Sequence, residues 1–290
     1  MMKHRNFVLL SLFLSTVIVY LFVTAPPPLV TEGKVGPKIP VARVFEILNE
    51  ENKIVRNMYT KDIVGNSKTS GLKYSEYWKE SDVEAGPLPA QFLRATAVSL
   101  EKSKLRLGLF LGSDYPINSS NKFSGDQLER FLLLKQSGKP QFFFVKDVAL
   151  YSYMFADVAV VKPCVECHNK HKDSPKTDWK LDNVMGATTW TYPEEYVTYD
   201  ELVELILTLR NAFRNAYSLY IKKVSSFKVQ PEIREKWPKD GYFLPSVDVF
   251  MEAINQKASS KTFNAIAQLR QNGYVANSDV ISGARDTGKI

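Results

Sequence analysis

Two cysteines and a histidine stand together at Cys164-Val165-Glu166-Cys167-His168, and this run constrains the chain more than any other feature. It is a C-x-x-C-H pattern, the covalent attachment signature of a c-type haem. The spacing has a chemical reason. Thiols three residues apart on one turn can add to two vinyl groups on one edge of a porphyrin, and the next imidazole then reaches the iron axially. The chain holds only these two cysteines and three histidines. A thioredoxin-like C-x-x-C would open a helix after a strand, within a βαβ unit; here a strand-like run leads through the motif into a polar loop over residues 168–174. A zinc site would need further ligands at metal spacing. A disulfide across so short a span adds little stability. The sequence therefore predicts one covalent haem c, with Cys164 and Cys167 as attachment points and His168 as axial iron ligand.

Lys3, His4 and Arg5 precede an uncharged apolar run over residues 7–25. At about 1.5 Å per residue that run spans about 28 Å, close to a bilayer core. Basic residues ahead of it predict a cytoplasmic N-terminus with the remainder outside. Val23-Thr24-Ala25 also fits a signal-peptide cleavage site, but Pro26-Pro27-Pro28 follows at once and is expected to hinder cleavage. The expectation is an N-terminal transmembrane anchor over 1–25, single-pass in the cytoplasmic membrane, with the C-terminal domain in the periplasm. A net charge of +7 with no long basic run gives no clustered face for nucleic acid.

Prolines and glycines make 26–40 a stiff linker. From there Val41, Val44, Phe45 and Leu48 recur at helical spacing and continue through Met58 to about Gly65. Residues 66–89 read as irregular, and a short helix follows over 90–102. Alternating leucines over 105–112 read as a strand. Ser124 with Gln127 suggests a capping box for a helix over 125–136. Residues 142–148 and 151–161 read as two strands, with the cysteine motif at the exit of the second, and 185–192 reads as another. This order predicts an α+β domain over 41–198, a PAS-like antiparallel sheet carrying helices. Residues 199–290 read as a helical C-terminal extension, with helices over 201–225 and, capped by Ser246, over 247–257; the last fifteen residues are expected to fray.

The region over 41–195 resembles a family of exported single-haem c-type domains with a PAS-like sheet, found alone or as sensor modules of bacterial membrane kinases and cyclases. The residues that carry the resemblance are Ala85-Gly86-Pro87-Leu88-Pro89-Ala90, the run Leu109–Asn118, Met154-Phe155-Ala156-Asp157, Cys164–Asn169 and Ser174–Trp179. The resemblance implies one covalent haem and a sensing or redox role. One departure stands out. A described member takes its second axial ligand from a cysteine of its N-terminal helix, and this chain has no third cysteine.

The sixth ligand is therefore sought among thioethers, with Met58 first, Met154 second and Met185 after them, beside an open or water-bound iron. His171 reads as a solvated loop histidine. For the haem propionates the candidates are Lys176, Lys180 and Arg94, with Trp179 and Trp190 packing near the ring. An open sixth position suits a sensor of redox state or of a small gas, whereas His/Met ligation suits a tethered electron carrier. No distal histidine offers itself for acid–base work, so the chain is not expected to be an enzyme. The expected partner is a membrane-embedded or periplasmic redox or signalling protein.

Overall fold

Helical periodicity from Val41 onward becomes a helix because its apolar stripe has a core to meet. The computed structural model describes residues 13–17, 20, 38–67, 71–160, 162–238 and 243–271. Residues 1–36 form one unit and 37–290 another. In the second unit, strand β1 (Ile39–Pro40) pairs with β8 (Tyr196–Val197). The Val41 amide, one of the orphan donors of a helix start, is satisfied by the Glu195 carbonyl at 2.8 Å. Helix α1 (Val41–Met58) buries Val44, Phe45, Leu48, Val55 and Met58 and runs on as a π-helix over Tyr59–Gly65, a change of winding that the apolar pattern does not reveal.

The remaining elements are β2 (Tyr74–Ser75), β3 (Gly86–Pro87), α2 (Pro89–Glu101), β4 (Gly108–Gly112), α3 (Gly125–Ser137), β5 (Gln141–Val145), β6 (Leu150–Val158), α4 (Lys162–Lys170), β7 (Val184–Tyr192), α5 (Tyr199–Val224), β9 (Ile233–Arg234), β10 (Leu244–Pro245) and α6 (Val247–Gln271). The principal sheet has four strands in the order β4-β7-β6-β5, every neighbour antiparallel. Its two faces follow from the two-residue period of a strand. Leu109, Tyr153, Phe155, Trp190 and Tyr192 meet the main core. Phe143, Met154 and Ala187 meet a smaller cluster with Phe123, Phe131 and Leu134, which places α3 on the second face.

The main core is aromatic and draws on α1, α2, α5 and α6 as well as one face of the sheet. Tyr59 stacks on Phe92 at 4.3 Å, Phe92 contacts Phe213 and Phe250, and Phe250 stacks on Tyr217 at 4.0 Å. Helices α5 and α6 thus share one core with α1 and α2. A buried ion pair reinforces this. Glu51 of α1, its side chain 1% exposed, accepts bonds from Arg210 of α5 and from Thr262 of α6.

Several expectations are corrected. Among the described residues no helix is long and apolar enough to cross a membrane. The N-terminal transmembrane anchor, and the single-pass placement in the cytoplasmic membrane built on it, therefore do not stand. Residues 13–17 and 20 are helical. The rest of that run, His4, the proline stretch and residues 272–290 lie outside the described residues. Ser124 precedes α3 but makes no side-chain cap bond; α3 instead stops at Gly138, whose left-handed φ of 67° lets its amide reach the Leu134 carbonyl. Thr198 and Ser246 do cap α5 and α6, and α6 runs well past the expected 257.

Candidate haem-attachment site

The cysteine motif lies in an excursion between β6 and β7, closed at its neck by backbone bonds that join Ala159 to Asn183 and Asp182. The motif was expected to run into a loop, but Lys162–Lys170 forms a helix. Proline is tolerated in a first helical turn, which is where Pro163 falls. A strand followed by a helix is also the setting of a thioredoxin-type cysteine pair. Here the strands on either side, β6 and β7, run antiparallel, whereas a βαβ unit requires parallel strands.

Positions i, i+3 and i+4 share one helix face, so Cys164, Cys167 and His168 point the same way. Cys164 is half-buried, Cys167 is exposed, and neither forms a disulfide. Burial pushes the His168 pKa down, and the nearby His171 adds to the shift. His168 is therefore a neutral imidazole with a lone pair to offer. Its Nδ1 is buried without a hydrogen-bond partner. Two thiols and a neutral imidazole on one face match the donor set of a c-type haem. Among the described residues no three His, Cys, Asp or Glu side chains converge as a metal site; a haem needs only an axial ligand from the protein.

Four residues outside the expected set fix this loop. The Asn169 side chain grips the backbone of Trp179 twice, donating from Nδ2 to the Trp179 carbonyl at 3.0 Å and accepting the Trp179 amide at 2.8 Å. His171, expected to be solvated, is half-buried. Its Nδ1 accepts the Asp173 amide at 3.2 Å, so Nε2 carries the proton and donates to Glu76 at 3.0 Å. Tyr115 packs edge-on against the Trp179 ring at 6.5 Å. Asn169 had no local signal, because the backbone it bonds lies ten positions on. Glu76 had none, because it lies in a stretch read as irregular.

The expected site residues divide. Lys176 stands 5.0 Å from the Trp179 ring centroid and also pairs with Asp178, so Lys176 and Trp179 share the excursion with the motif. Trp190 is fully buried in the main core, with an unpartnered Nε1. Arg94 is committed to Asn121 at 2.6 Å, and Lys180 is exposed. Met58 ends α1 in the main core, while Met154 is buried on the opposite face of the sheet among Phe123, Phe131 and Phe143. The two thioethers thus face different layers. Met185 is half-buried. Arg56, in the last turn of α1, holds Asp157 of β6 at 2.5 Å, which brings the Met58 end of α1 to the strand that leads into the motif.

No curated protein matches this chain, and no solved structure does. A family model described as Tll0287-like matches residues 42–193, more than half of the chain, and takes in the principal sheet, the motif and the loop that follows it. The chain belongs to this family of c-type haem sensory domains.

Proposed function

We propose that the chain carries a single haem c on Cys164 and Cys167, with His168 as axial ligand, and works as a sensor of redox state or of a small gas. The observation that carries this is His168, whose pKa burial lowers, set beside two thiols on one helix face within the family match. Haem c supplies a one-electron couple and, where the sixth position is open, a site for a gaseous ligand. The chain's own residues hold the imidazole neutral, anchor the excursion at its neck and clamp its far end through Asn169. The antiparallel sheet flanked by helices supports a sensory domain of PAS-like plan. The reading is not enzymatic, because His171 is already engaged by Glu76 and Asp173 and offers no ready acid–base group. Its partner is a separate redox or signalling protein.

A second reading is an electron carrier. It is favoured by the exposure of Cys167, which brings one attachment point to the surface where a redox partner would dock. Optical spectra of protein expressed with a c-type maturation system separate the two. Carbon monoxide binding to the reduced protein supports the sensor. No change with carbon monoxide, together with a ferric charge-transfer band of methionine ligation, supports the carrier. Absence of covalent haem overturns both.

A further inference from the structure

Besides His168 Nδ1, a second polar atom in the excursion is buried without a partner, Nε1 of Trp179. An indole nitrogen only donates, and a buried donor with no acceptor is costly. Trp179 is 4% exposed, although its sequence neighbours Thr177, Asp178 and Lys180 are all exposed. Asn169, Tyr115 and Lys176 enclose it. Asn169 directly follows His168, so the Trp179 backbone is tied to the residue next to the one that would bind iron.

We propose that the Trp179 indole N–H donates a hydrogen bond to a propionate carboxylate of the bound haem, with the Lys176 ammonium beside it, and that Asn169 is the positioning residue. This rests on the haem reading above and deepens it. The class of acceptor follows from the donors. An indole N–H whose ring has an ammonium over it, 5.0 Å from the centroid, favours an anionic oxygen, and the propionates are the anionic oxygens of a haem. Lys176 can turn toward that carboxylate because its present partner, Asp178, has a side chain 77% exposed and returns to water on release. Tryptophan 179 is thus a polar contact as well as a wall.

The test compares the holoprotein with Trp179→Phe, which keeps the ring and removes the N–H. The readouts are the reduction potential against pH and the propionate bending band in resonance Raman. The N–H offsets carboxylate charge near the iron, so its loss favours the ferric state. The expected shift is about threefold to tenfold toward the oxidised form at neutral pH, or about 30–60 mV for one electron. The shift should fade at acid pH as the carboxylate protonates, and the Raman band should move. Asn169→Ala should shift the potential in the same direction, and it carries the test if the phenylalanine variant takes up no haem. Wild-type potentials across the pH range with an unmoved band overturn the proposal while leaving the haem reading intact. A wild-type chain that takes up no covalent haem overturns both.

Discussion

Replacing Glu51 with alanine is expected to destabilise the whole second unit. The Glu51 carboxylate accepts Arg210 Nε at 2.9 Å and Nη2 at 2.5 Å, and Thr262 Oγ1 at 2.6 Å. Its side chain is 1% exposed and that of Arg210 is 18% exposed. Removing the carboxylate leaves the guanidinium with Asn255 at 3.3 Å and Ser259 at 3.5 Å, both long and neutral. Breaking a buried pair from one side costs about 3–5 kcal/mol, and the residual exposure of Arg210 puts Glu51→Ala toward the lower end. Arg210→Ala should fall toward the upper end, because the carboxylate it strands is the more deeply buried partner. At about 2–4 °C per kcal/mol for a chain of this size, the melting point should fall by about 6–20 °C. A double change to apolar residues of similar volume should cost much less than the sum of the two single changes. Urea unfolding followed by tryptophan fluorescence and by far-UV circular dichroism gives the free energies, and a thermal scan gives the melting point. A single transition by both probes is expected, since α1, α5 and α6 share the pair. A loss under about 1 kcal/mol, the range of a surface pair, or a separate early transition of the C-terminal helices, would refute the reasoning.

Further outcomes concern the haem and the alkaline limit. Cys164→Ser or Cys167→Ser should leave one thioether and move the reduced absorption band, and changing both should abolish covalent haem on a denaturing gel stained for peroxidase activity. If a thioether binds the iron from α1, Met58→Leu should alter the ferric spectrum while Met154→Leu leaves it unchanged, because the two lie on opposite faces of the sheet; the reverse pattern would place the ligand in the smaller cluster. Burial, and then a hydrogen bond to Glu201, raises the Tyr192 pKa above the usual 10.0. A raised pKa contributes stability that is present below about pH 10 and lost as pH climbs through the folded value. Urea midpoints should therefore fall above about pH 10, and Tyr192→Phe should show a shallower decline.

The candidate site and much of the fold are local chemistry or local period, and these are legible in a sequence. The C-x-x-C-H run names its own cofactor because attachment needs only neighbours along the chain. Helix α1 and strands β5, β6 and β7 follow from spacings of 3.6 and two residues, because a side chain's direction depends on its own backbone. What joins distant residues stayed hidden. His171 meets Glu76 95 positions away, and Glu51 meets Thr262 211 positions away; nothing near either residue marks its partner. The helical start of the motif was masked because its polar residues carry no apolar stripe. By itself the sequence determined the C-x-x-C-H run, with its candidate cysteines and histidine, and the order of most elements. Only the tertiary structure decided that α5 and α6 complete the main core, that Met58 and Met154 face different layers, and that Asn169 holds Trp179 beside the motif. These depend on which surfaces meet once the chain has folded, and burial there decides which polar atoms are left in need of a partner.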